Sequence, residues 1–542
     1  MSNASSWLRG AALYQIYPLS FLDGNGDGQG DLEGVLAGLD HVASLGVDGI
    51  WLCPFYPSPL KDFGYDIADH RAVDPRMGDL TAFDRVLARA HALGLKVLVD
   101  LVCGHTSDEH PWFAASCRSR DGEFADWYVW ADAKPDGSPP NNWLSVFGGA
   151  AWTWEPRRRQ YYLHHFLASQ PALNLHHEPC LQGVLDNARF WLERGVDGFR
   201  IDAVDFFAHD PLLRSNPAAV WRAAEPPLKP FALQRHLHDM MHPSIPTVLE
   251  RLRATVDRHP GAVLLGELSS QPGAGQRIAT YTAPGRLHAA YSLSLAKQPF
   301  SARALAQALT GTPDAQAICW SFSNHDVERA VSRWLPDGAD PERFAALLAA
   351  LFCALPGTLC LYQGEELALP QAELPRNRLR DPFGMTYWPE FKGRDGARTP
   401  MPWRAQATNA GFSAADETWL PVPDAHLPLA LDAQERRPGS PLELWRAAFR
   451  LRRSHPALRL GTLSAVEDRS DLLAFERTTD GESLLAVFNL ADRPAEYPLK
   501  HKPGLVPCDL PRAAGTPAAE ITPDGRTLVL PPLAAFLGSK RV

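Results

Sequence analysis

The stretch Val184 to Asp202, VLDNARFWLERGVDGFRID, reads as an amphipathic helix over Val184–Arg194, a short β-rich run over Gly198–Ile201, and an acid where that run ends. The same unit recurs through the first four hundred and fifty residues. Further strand candidates are Ala12–Tyr17, Gly49–Leu52, Lys96–Val102, Ala262–Gly266, Ala289–Leu295, Ala317–Ser321 and Thr358–Tyr362. Between them lie amphipathic helices such as Val35–Leu45, Ala82–Leu93, Pro246–Arg258, Ala302–Leu309 and Phe344–Leu355. Eight β-runs with helical crossovers, and no GxGxxG opening a helix after a strand, predict an α/β fold. The alternation points to a parallel (β/α)8 (TIM) barrel more than to an open doubly wound sheet.

Two connections exceed an ordinary βα loop. One follows Val102 and carries Trp112, Trp127, Trp130, Trp143, Trp152 and Trp154, six of the sixteen tryptophans. It predicts an inserted subdomain after the third strand whose aromatics wall a binding site. The other, Ala203–Ile245, has a Pro-rich middle at Glu225-Pro226-Pro227. From about Thr462 the pattern becomes short alternating runs, which predicts a C-terminal antiparallel β-sandwich. The expected domains are therefore 1–104 with 176–461 for the barrel, 105–175 for the insertion and 462–542 for the β-domain.

Composition narrows the function. At 542 residues with 45% hydrophobic and 21% charged residues the chain is globular, and a net charge of −9 argues against nucleic acid or an anionic membrane as partner. Phe344 to Tyr362 approaches the apolar length of a membrane span, but Pro356-Gly357 splits it into a buried helix and a buried strand. Eight scattered cysteines without a CxxC pair, and no secretory signal between Met1 and Gly10, fit reduced thiols and a cytoplasmic location.

Barrel chemistry sits where strands end. Those ends read Gly64-Tyr65-Asp66-Ile67-Ala68-Asp69, Asp100-Leu101-Val102-Cys103-Gly104-His105, Gly198-Phe199-Arg200-Ile201-Asp202, Leu265-Gly266-Glu267 and Ser323-Asn324-His325-Asp326. Asp202, Glu267 and Asp326, with Arg200 and two histidines, match glycoside cleavage, which needs one ionised and one protonated carboxyl beside one bond. Arg200, two residues before Asp202 on one strand face, would hold it as the anion. Apolar neighbours and nearby carboxylates would raise the pKa of Glu267.

These motifs, with Tyr362-Gln363-Gly364-Glu365-Glu366, resemble glycoside hydrolase family 13, the α-amylase superfamily, in order and through Met1–Val542. The resemblance implies a retaining mechanism with Asp202 as nucleophile, Glu267 as general acid/base and Asp326 as transition-state stabiliser. It implies Tyr65, Asp66, His105, Arg200, His325 and Arg394 around the non-reducing glucose, with Arg398 structural, and Phe147 and Phe166 lining the pocket as in branch relatives or filling core. Gln170-Pro171-Ala172-Leu173-Asn174 is similar to the Gln-Pro-Asp-Leu-Asn segment of the oligo-1,6-glucosidase and α-glucosidase branch, with Ala172 for the usual Asp. There the residue after the nucleophile goes with linkage, Val with α-1,6 and Thr or Ala with α-1,4. Ala203 implies short α-1,4 substrates such as maltose. Rivals are a sucrose-using hydrolase or glucosyltransferase of the same family and a non-catalytic transporter-associated relative, which would lack the carboxylates.

Asp23-Gly24-Asn25-Gly26-Asp27-Gly28-Gln29-Gly30-Asp31 places oxygen donors at alternate positions, which suits a structural Ca²⁺ or Mg²⁺ held by Asp23, Asn25, Asp27, Asp31 and the Gln29 carbonyl. The alternative is an Asn/Gly turn cluster without metal. Gly104 stands where many α-amylases have an Asn at a second Ca²⁺ site, so none is expected there. His164-His165 and His176-His177 read as loop or surface residues.

Overall fold

The computed structural model describes residues 6–220, 227–499 and 505–541, so the first five residues, Glu225-Pro226 and Val542 lie outside the described residues. Eight parallel strands form one sheet: β1 Ala12–Ile16, β2 Gly49–Leu52, β3 Lys96–Leu101, β4 Gly198–Ile201, β5 Val263–Leu268, β6 Ala289–Ser292, β7 Cys319–Trp320 and β8 Thr358–Tyr362. They pair in sequence order, β8 returns to β1 with Tyr14 opposite Leu361, and a parallel bridge from Ala290 to Ile318 joins β6 to β7. The barrel is closed. Its strands are nearly continuous apolar runs such as Val97-Leu98-Val99, because helices cover the outer face while side chains fill the inside.

The crossover helices begin where a side chain can take up the free amides of the first turn. Asp31, Asp79, Ser301 and Asp340 cap the helices Leu32–Ser44, Leu80–Ala92, Ala302–Thr310 and Pro341–Ala354. The last of these is buried along nearly its whole length and leads into β8, as the split at Pro356-Gly357 implied. Among the described residues no helix is long and apolar enough to cross a membrane. The helix Ala274–Tyr281 escaped the sequence pattern because its eight residues leave only Ile278 and Tyr281 buried.

The long connection after β3 folds into a helix, Pro111–Arg118, and an antiparallel sheet of Trp130–Ala131, Gln160–Leu163 and Trp152–Glu155. Here the tryptophan expectation fails. Trp143 and Trp152 lie at 1% and 4% exposure in the insertion's own small core, with Val129, Leu163 and Ala172. A segment this short spends its largest apolar side chains on holding itself together. His164 and His165 are likewise buried rather than on the surface, with the His165 ring 5.0 Å from that of Phe206.

At the C-terminal end, a five-stranded antiparallel sheet built on Leu472–Thr479 and Glu482–Asn489 faces a three-stranded sheet. Leu472, Ala474, Val487, Tyr497, Leu528 and Phe536 pack between them as a sandwich core. Arg477 on this sheet stitches it to the barrel by donating to the Ala354 carbonyl, while Arg452 on the barrel helix Pro441–Ser454 donates to the carbonyls of Cys353, Leu355 and Gly357. All eight cysteines are free, and all but Cys508 are buried.

Candidate active site

At the C-terminal rim of the barrel, one guanidinium organises the acids. Arg200 is fully buried on β4. Its Nη1 donates to Asp100 Oδ1 at 2.6 Å and Asp202 Oδ1 at 2.7 Å, and its Nη2 donates to Glu267 and to the Tyr291 hydroxyl. Trp51 on β2 lies 4.7 Å beneath the cation and donates its indole N–H to Asp100. Five neighbouring strands thus meet on one side chain, because β2 to β6 are in register at their carboxyl ends. Burial alone would strip the charge from Arg200, but Asp100 and Glu267 outweigh it and hold the proton on.

The three acids differ sharply in environment. Burial, reinforced by the charges of Asp202 and Asp326, pushes Glu267 up to about 8 in spite of Arg200. For Asp326 burial works in the same direction, but His325, Arg394, Arg398 and Arg200 prevail and hold it well below the usual carboxylate range. Arg394 reaches its Oδ1 at 3.1 Å and Arg398 at 2.8 Å, so both arginines of the 393–401 segment hold Asp326. Asp202 leads into Ala203, whose backbone is left-handed at φ 45° and whose N–H faces Glu267 Oε2 at 3.3 Å.

A cavity of about 690 Å³ opens over these groups, within the range of small-ligand sites. Tyr65, His105, Asp202, Ala203, Glu267, Asp326 and Arg394 line it, and Phe147 and Phe166 form part of its wall. Arg200 and His325 do not reach it. His325 lies behind the wall, stacked between Tyr17 and Tyr65 with ring centroids 5.6 and 5.1 Å away, and burial lowers it to about 3, so it is neutral.

Asp66 corrects the sequence expectation. It is fully buried and absent from the lining, and its carboxylate accepts from Ser58 Oγ and from the amides of Lys61 and Asp62. It fixes the loop that presents Asp62, and Asp62 is the acid that faces the cavity, ion-paired to Arg394 at 2.7 Å. Sequence order offered two acids four residues apart on one loop, and only the loop's self-bonding distinguishes them. Gln170, which donates to Asp62, and Phe206, Phe231 and Phe383 on the wall also went unnoticed. Of these only Gln170 carried a signal, as the first residue of the Gln-Pro-Ala-Leu-Asn segment.

The Asp23–Asp31 loop forms a run of side-chain-to-amide turns. Asp23 accepts from Asn25, Gly26 and Gly28 amides, Asn25 from Asp27, Asp27 from Gln29, and Asp31 from Gly24, Asn25 and Gly34. Gly26 and Gly28 sit at φ 84° and 89°, which lets the chain wrap so tightly. Among the described residues no three His, Cys, Asp or Glu side chains converge as a metal cluster.

Comparison with known proteins follows the same lines. The family model for the alpha amylase catalytic domain matches residues 15–461. A probable alpha-glucosidase of Rhizobium meliloti (strain 1021) is 48% identical over 506 residues, 91% of each chain. An oligo-1,6-glucosidase of Heyndrickxia coagulans is 33% identical over 533 residues, 91% of this chain and 94% of its own. Among solved structures the alpha-glucosyl transfer enzyme XgtA superposes with a TM-score of 0.93 at 48% identity, covering 99% of this chain and 100% of that one.

Proposed function

The chain belongs to the alpha-amylase family of glycoside hydrolases, and from that premise we propose a retaining, exo-acting α-glucosidase that removes single glucosyl units from short α-1,4-linked substrates such as maltose. One observation carries the proposal: a single buried guanidinium touches both Asp202 and Glu267, while Glu267 is raised to about 8. That arrangement supplies an acid that is protonated at neutral pH beside an ion-paired carboxylate, the two states glycoside cleavage requires.

In the first step the Asp202 carboxylate attacks the anomeric carbon. The C1–O bond breaks, and Glu267 gives its proton to the departing oxygen. Asp326, held as an anion by Arg394, Arg398 and Arg200, stabilises the positive charge that develops on the sugar ring. In the second step Glu267, now a carboxylate, takes a proton from water as its oxygen attacks C1 and frees Asp202. The buried pair of Asp62 and Arg394 would close the inner end on the non-reducing glucose, which is the basis for exo action. Ala203 on the wall leaves room beside the aglycone.

Transfer to another hydroxyl uses the same intermediate. It is favoured by the apolar wall of Phe147, Phe166, Phe206, Phe231 and Phe383, which disfavours free water, and by the likeness to an alpha-glucosyl transfer enzyme. The Asp23–Asp31 loop is proposed as a structural Ca²⁺ or Mg²⁺ site remote from the sugar. Its alternate oxygen donors support this, and a bound cation would have to share carboxylates now turned to amides. Glucose release from maltose, isomaltose, trehalose and sucrose, with the released anomer followed by NMR, tests the assignment. Inactivity on maltose, or release of β-glucose, overturns it.

A further inference from the structure

The mouth of the cavity carries mixed charge on one side and only cations on the other. Its β7 and β8 loops bring Glu328, Glu373 and Glu390 together with Arg333, Arg394 and Lys392, the last bonded to Glu373. The loops after the adjacent strands β4, β5 and β6 bring Lys229, Ser269, Ser270, Gln271 and Lys297. Among the described lining residues the only carboxylates on that side are Asp202 and Glu267, at its base.

Neither lysine has an ion pair with a carboxylate among the described residues. Lys229 Nζ rests over the rings of Phe383 and Phe391, 4.0 and 3.7 Å from their centroids. Lys297 Nζ donates to Ser270 Oγ at 2.6 Å; burial lowers its pKa, and the nearby Glu267, when ionised, acts against that. Burial pushes Lys229 down to about 8 and the neighbouring Lys297 charge adds to that, so the two ammonium groups also repel each other. Cations without a carboxylate partner beside the Ser270 hydroxyl, next to the acid that serves the departing alcohol, make a seat for an anion.

We propose that this side of the mouth, built from Lys229, Ser270 and Lys297, receives an oxyanion, a carboxylate or a phosphate, carried by the leaving or accepting alcohol. The inference rests on the glucosidase reading and specifies which aglycones that site prefers. The chemistry stays balanced. The acceptor hydroxyl gives its proton to the Glu267 carboxylate, its oxygen bonds to C1, and the C1–O bond to Asp202 breaks. The oxyanion is held but does not react. Rings under Lys229 orient its charge without neutralising it.

The test offers the enzyme maltose as donor with glycerol, glycerate or glycerol 3-phosphate as acceptor at equal concentration. The ratio of glucosylated acceptor to glucose released by hydrolysis is read by chromatography. An ammonium–oxyanion contact at a half-exposed site supports a preference of about 10-fold for an anionic acceptor over glycerol. A preference for glycerate alone identifies a carboxylate site, and for glycerol 3-phosphate alone a phosphate site. Either preference should shrink in Lys229→Gln and Lys297→Gln, persist in Lys297→Arg, and in the unaltered enzyme weaken as salt rises from about 0.02 to 0.5 M. Equal partition among the three acceptors, or a preference indifferent to salt and to both lysines, overturns the inference. A protein that releases no glucose from maltose fails the function reading instead.

Discussion

The acid/base assignment of Glu267 commits the protein to a particular pH profile. With its carboxyl raised to about 8, about nine-tenths of Glu267 is protonated at pH 7 and about one-tenth at pH 9. The working form is the acid, so kcat/KM for maltose is full below that value and falls as pH rises through it. Above about pH 9 the loss approaches tenfold per unit. The apparent value belongs to the group of charges around Glu267, since Asp202 and Asp326 both contribute to it. Glu267→Gln keeps the volume and removes the proton donor. It should cost about 10²- to 10⁴-fold on maltose and erase the alkaline limb, while a 4-nitrophenyl glucoside, whose leaving group needs little protonation, loses much less in its first step. The same shift acts on stability. A carboxyl raised in the fold contributes most below its unfolded value and loses that contribution as pH climbs from about 4.5 to about 8. The glutamine variant should therefore gain thermal stability relative to the parent across that window. An alkaline limb that survives in Glu267→Gln, or an apparent value below about 6, would refute the reasoning.

Arg200→Met leaves three acids around the centre of the barrel without their shared cation, and should lower the denaturant midpoint by the equivalent of about 3–5 kcal/mol, with activity down by about 10²- to 10³-fold. A midpoint shift under about 0.5 kcal/mol would show that Arg200 does not hold them. Ala203→Val puts a β-branched side chain at φ 45°, costing about 1–3 kcal/mol, and narrows the aglycone side. The ratio of kcat/KM on maltose to that on isomaltose should fall about tenfold, and an unchanged ratio removes Ala203 from linkage choice. For the Asp23–Asp31 loop, millimolar Ca²⁺ or Mg²⁺ should raise Tm over a chelator-treated sample, reflecting a stabilisation of about 2.7 kcal/mol where the ion is at a hundred times its Kd. Asp27→Ala should abolish the difference. Equal melting with and without cation leaves the loop as turns alone.

The barrel was legible because its information is periodic. Each of the eight expected runs overlaps a strand, since a strand buried on both faces needs an unbroken apolar run and its helix an amphipathic one. Asp202, Glu267 and Asp326 were legible for a related reason: they follow strands directly, and strand ends converge on one rim whatever the loops do. What escaped depends on how loops close on themselves. Asp62 and Asp66 share a loop and a chemistry, and the choice between them lies in whether a carboxylate meets Ser58 and two amides or meets Arg394. The tryptophans misled because composition cannot tell a core from a wall, and an insertion of about seventy residues needs its large side chains inside. Arg200 shows where the two kinds of information meet. Its position two residues before Asp202 follows from strand period, yet its reach to Asp100, Glu267 and Tyr291 follows from the register of neighbouring strands. A cation shared in that way ties the protonation of Glu267 to the closure of the barrel. A substitution that loosened the pairing of β4 with β5 should therefore shift the alkaline limb of activity before it abolished folding.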